Sequence, residues 1–255
     1  MNVPSKGPIV IGGLGGSGTR VVARIVRRAG YFLGTNVTGA EDAVEFWEFY
    51  DRWINRYLLR EDCPLSREER RLMERDWAAC AARHRLVIPS HDSLWGWKNP
   101  RSVLLLEFLH EQYPEMKFIH VLRDGRDMAF SATAQEQVRQ HGPAILGGNL
   151  VDAAIAAKTA ACWAKINLDA AAYGKLQMGG QYFIVTFEKL CAESRESIEG
   201  ICDFLGVAIN DAVQTATELI TQPASLGRWN TCADANLLRE IQFHAKDALQ
   251  KFGYC

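Results

Sequence analysis

The chain has 255 residues, 48% of them hydrophobic and 23% charged, enough for one large globular domain with a full core. Its formal net charge of −1 supplies no global positive field, which argues against a nucleic-acid or anionic-membrane surface and requires any anion to be held locally. No apolar run approaches transmembrane length, and the opening "MNVPSKGP" lacks the apolar core of a signal peptide. The seven cysteines form no C-x-x-C pair and read as reduced thiols of a cytoplasmic protein. The six histidines are dispersed without zinc-ligand spacing, so no metal is implied.

In chain order, "PIVIG" at 8–12 predicts a first strand, followed by a glycine run and helical periodicity over about 18–29. Helices follow over 42–59 and 66–84. The stretch "REDCPLSREERRLMERDW" (60–77), dense in both charge signs, predicts a solvated helix laced with ion pairs. An apolar run at 86–89 predicts a second strand. Helices over 101–112, 127–139, 151–173, 195–205 and 234–251 then alternate with strands at 117–122 and 182–187. No repeat, low-complexity tract or linker divides the chain. Short apolar strands separated by amphipathic helices predict a single α/β domain over 1–255, its sheet mainly parallel and flanked by helices.

The stretch "IVIGGLGGSGTRVVARIV" (9–26) places Gly13, Gly18 and Thr19 where a Walker A loop has its first glycine, last glycine and hydroxyl. No lysine separates Gly18 from Thr19, and Arg20 follows instead. A strand–loop–helix unit of this kind aims backbone N–H groups and a positive helix end at one point, which is an anion site. A glycine-rich turn alone is a weak signal, and a kinase would need the missing lysine on its phosphates. A second motif, "FIHVLRDGRDMAFSA" (118–132), carries Arg123 at a strand end and Ser131 in the following helical segment. These two side chains suit a second phosphate, whereas an ion pair between Arg123 and Asp124 across the turn would account for neither the serine nor the matching loop.

The "GGSGTR" loop and the "LRDGRDMAFSA" segment together resemble the 5′-phosphosulfate loop and 3′-phosphate motif of the sulfotransferase family. "WGWKNPR" (95–101) is similar to that family's K-x-P segment, and "YFIVTFEKLCAESRESIEGICDFLGV" (182–207) to its late strand and helix; "GRWN" (227–230) is a weaker echo. The resemblance extends from residue 8 to about 230 and is strongest for the bacterial carbohydrate-type and tyrosylprotein-type branch. It implies a P-loop-like three-layer sandwich that binds 3′-phosphoadenosine 5′-phosphosulfate (PAPS) as donor, releases PAP, and uses no metal. The implied nucleotide-binding residues are Gly15, Gly16, Ser17, Gly18, Thr19, Arg20, Arg123, Ser131 and Arg228. Many members carry lysine or arginine where this chain has Gly16, so Lys98 and Arg20 are the candidates for the missing cation, Lys98 being assigned to the bridging oxygen. Gly125 stands where a proline is common, which changes turn stiffness more than chemistry.

A general base must stand opposite the leaving group. "GTNVTGAEDAVEFWEFYDRWINRYL" offers Glu41, Asp42, Glu45, Glu48 and Asp51. The "FWE" resemblance puts Glu48 slightly ahead of Asp42, while Glu41 and Asp51 fit a cap and an exposed position; Glu45 and His91 come next. Phe46, Trp47, Phe49, Tyr50 and Trp53 line an acceptor pocket or fill the core. The acceptor is a glycan, lipid, peptide or small-molecule hydroxyl. The alternatives to a sulfotransferase are a P-loop kinase using ATP and magnesium, or a non-catalytic nucleotide-binding scaffold.

Overall fold

The structure is a computed structural model and describes residues 7–90, 93–150, 152–209, 213 and 215–254. Four parallel strands form its sheet, in the order β2-β1-β3-β4: β1 (Ile9–Gly12), β2 (Gly96–Lys98), β3 (Lys117–Leu122) and β4 (Tyr182–Thr186). Ile9 pairs with Gly96 on one side and Lys117 on the other, and Phe118 pairs with Tyr182. From β1 the chain passes first to one side and later to the other. The crevice between the C-terminal ends of β1 and β3 is therefore a topological switch point, where open α/β sheets bind ligands.

Alternating side chains of the strands feed two cores. Val10, Phe118 and Leu122 face a cluster built with helices α2 (Trp47–Leu58), α3 (Arg67–Arg85), α4 (Leu106–Gln112), α6 (Ala132–Leu146), α7 (Ile155–Tyr173) and α10 (Ala235–Lys251). Ile9, Ile11, Ile119 and Val121 face the other, built with α1 (Thr19–Arg28), α8 (Phe187–Ala192) and α9 (Ser194–Leu205). The result is the expected three-layer sandwich. On the first face Phe46 stacks on Trp77 at 5.0 Å between ring centroids and lies 5.0 Å from Trp97, and Phe49 stacks on Phe108 at 5.6 Å. Phe46, Phe49, Tyr50 and Trp53 are thus core; truncating Phe46 to alanine removes about 3–5 kcal/mol.

The helices follow the sequence periodicity closely. Segment 42–59 is a 3-10 turn (Val44–Phe46) leading into α2, and 101–112 a 3-10 stretch (Pro100–Leu105) leading into α4. The 127–139 helix is two: α5 (Gly125–Ala129) and α6, broken where Ser131 caps the second. α3 starts with a Ser66–Glu69 capping box and carries ion pairs to α2, Arg56–Glu69 at 2.7 Å and Arg52–Asp76 at 2.8 Å.

The expected strand at 86–89 is a correction. Leu86 caps α3, and Leu86 and Val87 are exposed. The strand lies instead at Gly96–Lys98, where Gly96 is needed because a Cβ would stand 1.9 Å from the Ile9 carbonyl oxygen. Close backbone approach to β1 made the strand; side-chain pattern did not.

Candidate active site

The loop after β1 is shaped by glycines with left-handed backbone: Gly16 has φ 95° and Gly18 φ 98°. A Cβ on Gly18 would lie 2.2 Å from the Phe187 ring, and one on Gly16 would lie 2.5 Å from Ser131 Oγ. The loop therefore packs against both α8 and the second motif with no room for side chains. α1 opens at Thr19 with no side-chain cap and no acidic residue in its first turn, so its positive end is uncompensated. Ser17 is buried, and its Oγ has no hydrogen-bond partner among the described residues. The Ser17 N–H donates to Leu14 O at 3.1 Å, while the Gly15 N–H donates to Gln137 Oε1 at 2.7 Å. Gly15, assigned to the nucleotide on resemblance, thus has its N–H engaged by a helix α6 side chain outside every motif.

At the end of β3, Arg123 is buried and paired with Asp127 at 3.0 Å, one helical turn on. The Arg123–Asp124 pair, the alternative set aside from the sequence, is not the one that forms. Asp124 caps α5 and binds Arg126 at 2.7 Å, because the two residues stand on the same side of the turn. Arg123 also donates through Nη2 to the Ser225 carbonyl, while its buried Nε has no partner among the described residues. Arg228, on a 3-10 turn (Arg228–Thr231), donates to the same Ser225 carbonyl at 3.0 Å and to Phe130 O at 3.0 Å, next to Ser131. Burial first, then the charge of Arg123, lowers the guanidinium of Arg228 below its ordinary value. Two guanidiniums therefore converge on the Ser225 carbonyl, one of them also held at Phe130, the residue before Ser131. Asp127 secures the segment that brings Arg228 here, accepting from Gly227 N at 2.8 Å and Trp229 N at 3.3 Å. Its R-x-x-x-D spacing from Arg123 was the available sequence signal. Gly125 is explained by packing: a Cβ there would lie 2.3 Å from the Trp163 ring.

At the end of β2, Lys98 is 2% exposed and donates from Nζ to Asp42 Oδ1 at 2.7 Å and to Ala40 O at 2.8 Å. Burial lowers its ammonium below the ordinary lysine value; Asp42 opposes that shift and Arg20 adds to it. Arg20 is exposed and pairs with no carboxylate among the described residues. Asp42 is presented by a turn in which Thr38 Oγ1 accepts from the N–H groups of Ala40 at 3.1 Å and Asp42 at 3.2 Å. Within that turn Glu41 takes a left-handed backbone, φ 67°, and is held by Arg27 at 2.9 Å and Arg24 at 3.5 Å. A non-glycine residue in that region is strained by roughly 1–2 kcal/mol, here offset by two arginines of α1. Glu41 is thus neither a cap nor exposed.

A cavity of about 490 Å³ opens between these parts, lined by Gly15, Asp42, Trp47, Arg101, Thr133 and Gln137 among others. It separates the two base candidates. Asp42 lines it, whereas Glu48 points to solvent from α2, one residue and about 100° round the helix from Trp47. Glu48 has Cys80 of α3 as an electrostatic neighbour instead. Glu45 lies 3.5 Å from His84, which is itself bonded to the Gly96 carbonyl at 2.9 Å; His91 lies outside the described residues. Of the aromatic run only Trp47 faces the cavity.

The sulfotransferase family pattern matches residues 8–211, most of the chain, and the protein belongs to the sulfotransferase family. Among curated proteins none matches the sequence significantly. Solved structures agree in fold at low identity. The sulfotransferase domain of the olefin synthase from Synechococcus PCC 7002 is 15% identical over 97% of this chain and 95% of that one, with TM-score 0.54. Sulfotransferase STF9 from Mycobacterium avium is 10% identical over 98% and 77%, with TM-score 0.58. The mouse sulfotransferase SULT7A1, solved with PAP, is 14% identical over 97% and 86%, with TM-score 0.52.

Proposed function

We propose that this protein transfers a sulfonate group from PAPS to a hydroxyl of an acceptor, as a cytoplasmic enzyme and without a metal. The observation that carries the proposal is the contact of Gly16 with Ser131, which sets the uncapped α1 loop beside the Arg123–Arg228 cluster. Two anion sites side by side at a switch point suit a nucleotide phosphorylated at both ends of its sugar. Buried Ser17 Oγ and Arg123 Nε, both without partners among the described residues, fit such a ligand, since each needs an oxygen or a donor to satisfy it.

PAPS, when bound, supplies an activated sulfonate whose leaving group is a phosphate. Ser17, Gly18, Thr19 and Arg20 would hold its phosphosulfate end, and Arg123, Ser131 and Arg228 its 3′-phosphate. Lys98, though buried, would neutralise the bridging oxygen as it takes the electron pair from the broken S–O bond. Asp42 would accept the acceptor's hydroxyl proton as the new O–S bond forms. One oxygen of Asp42 holds Lys98; the other carries only a 3.4 Å contact from Thr38 Oγ1 and is open to an acceptor. Positioning and electrostatics would dominate the rate.

Binding calorimetry comparing 3′,5′-adenosine bisphosphate with ATP–magnesium tests the donor. Preference for the bisphosphate, and transfer that survives EDTA, supports this reading. Preference for ATP–magnesium with chelator inactivation supports a kinase instead.

A further inference from the structure

Gln137 belongs to none of the motifs, yet it joins the loop to the cavity. It sits on α6, is 7% exposed, and accepts the Gly15 N–H through Oε1 at 2.7 Å. Only an oxygen can meet that N–H, so the contact fixes which way the amide faces. Nε2 is left beside the loop tip, buried, with no hydrogen-bond partner among the described residues. The same side chain lines the cavity that Asp42 lines. A buried donor without an acceptor is costly and rare in folded proteins, and its retention here points to an acceptor supplied by a ligand.

We propose that Gln137 is a catalytic residue of the transfer. Its Nε2 donates a hydrogen bond to an oxygen of the sulfonyl group in flight, while its Oε1 keeps the loop tip in register. The inference rests on the sulfonate-transfer reading above. Sulfonyl oxygens accept and never donate, which matches an NH₂ group that donates and never accepts. Such a fixed donor acts on charge that shifts during transfer without having to reorganise.

Gln137→Glu tests this, because it keeps an oxygen for the Gly15 N–H and replaces the donor with a second oxygen. Turnover is expected to fall about 10²–10³-fold, the usual loss for one preorganised donor. Affinity for 3′,5′-adenosine bisphosphate, which has no sulfonyl group, should fall far less than turnover, by about the few-fold that an added carboxylate costs beside an anion loop. Without acceptor present, the ratio of PAPS to bisphosphate affinity should fall roughly tenfold, about 1.4 kcal/mol. Should the buried carboxylate unfold the protein, the neutral Gln137→Met serves, with turnover falling further than bisphosphate affinity. Turnover within about threefold of wild type overturns the assignment, as does an equal loss of turnover and bisphosphate affinity in either variant. A wild type that binds no bisphosphate overturns the donor reading itself, and this assignment with it.

Discussion

Gly16 and Ser131 meet across the two halves of the site, so closely that a Cβ on the glycine would stand 2.5 Å from the serine hydroxyl. At the position where the family resemblance leads one to look for a loop cation, this chain has a glycine in left-handed backbone, where any side chain is strained and must push Ser131 Oγ aside. Lys98 approaches instead from the end of β2. Restoring the loop cation is therefore expected to harm. Gly16→Lys should weaken bisphosphate binding and, through its left-handed backbone, destabilise the fold by about 1–2 kcal/mol. Calorimetry and thermal melting check both, and a gain in affinity would remove this account of the glycine.

The carboxylates divide by what they face. Asp42→Asn should cut turnover by about 10²–10⁴-fold, the usual worth of a general base, and because Asp42 also pairs with Lys98 it should disturb bound product less than loss of the lysine does. Lys98→Ala should lower turnover and loosen bound product as well. Glu48→Gln, exposed and outside the cavity, should leave turnover near wild type. Measuring the three variants side by side decides between the aspartate and the glutamate.

On the proposed reading Arg123 anchors nucleotide selectivity. Arg123→Ala should cost about 1.5–3 kcal/mol of affinity for the 3′,5′-bisphosphate, the usual value for a charged hydrogen bond, and little for 5′-AMP. Equal binding of both nucleotides by the wild type would be fatal to the 3′-phosphate site.

Two buried histidines set an acid limit on stability. His120 donates from Nε2 to Asn167 Oδ1 at 2.7 Å and accepts the Tyr182 hydroxyl at Nδ1; burial pushes it down to about 4. His141 donates from Nδ1 to Asn55 Oδ1 at 2.8 Å, facing Arg101 and Asp51, and burial first and then Arg101 bring it to about 4. Both are neutral in the fold and take up protons more readily when unfolded, with an ordinary value near 6.5. The unfolded chain therefore binds more protons between these values, so stability is full above pH 6.5 and declines as pH falls toward 4. His120 contributes on the order of 3 kcal/mol across that window, and the less enclosed His141 a smaller amount. Denaturant unfolding from pH 7 to 4 checks this, and His120→Gln should flatten the decline.

Strands β1, β3 and β4 and the long helices were legible because their apolar spacing is sustained. β2 was not, since three residues, one a glycine, carry no period; "LVI" at 86–88 carried a better one and is the turn just past the end of α3. In the site, the glycine run, Arg123 and Ser131 stood out because phosphate chemistry demands those residue types. Gln137 and Glu41 did not: one polar residue in a helix, or in a turn, has no spacing to betray its partner. Glu48 stood slightly ahead of Asp42 in the sequence, and the helix phase turns it outward while Asp42 lines the cavity.

The strained turn at Glu41 has a consequence for tolerance to change. The helix whose open end serves the loop also clamps that turn, through Arg24 and Arg27 one to two coils further along. The interval between the donor's grip and the Asp42 carboxylate is consequently ruled off by a helix rising about 1.5 Å per residue. In the surface chain at 35–40, which runs between those fixed points, Thr38 and the Ala40 carbonyl hold the turn and Lys98, so change that leaves the gauge alone is confined to the exposed Thr35 and Gly39. An engineer seeking new acceptors can therefore rewrite Trp47, Thr133 and Gln140 of the cavity wall, leaving Asp42 and Gln137, while the firing distance stays as built.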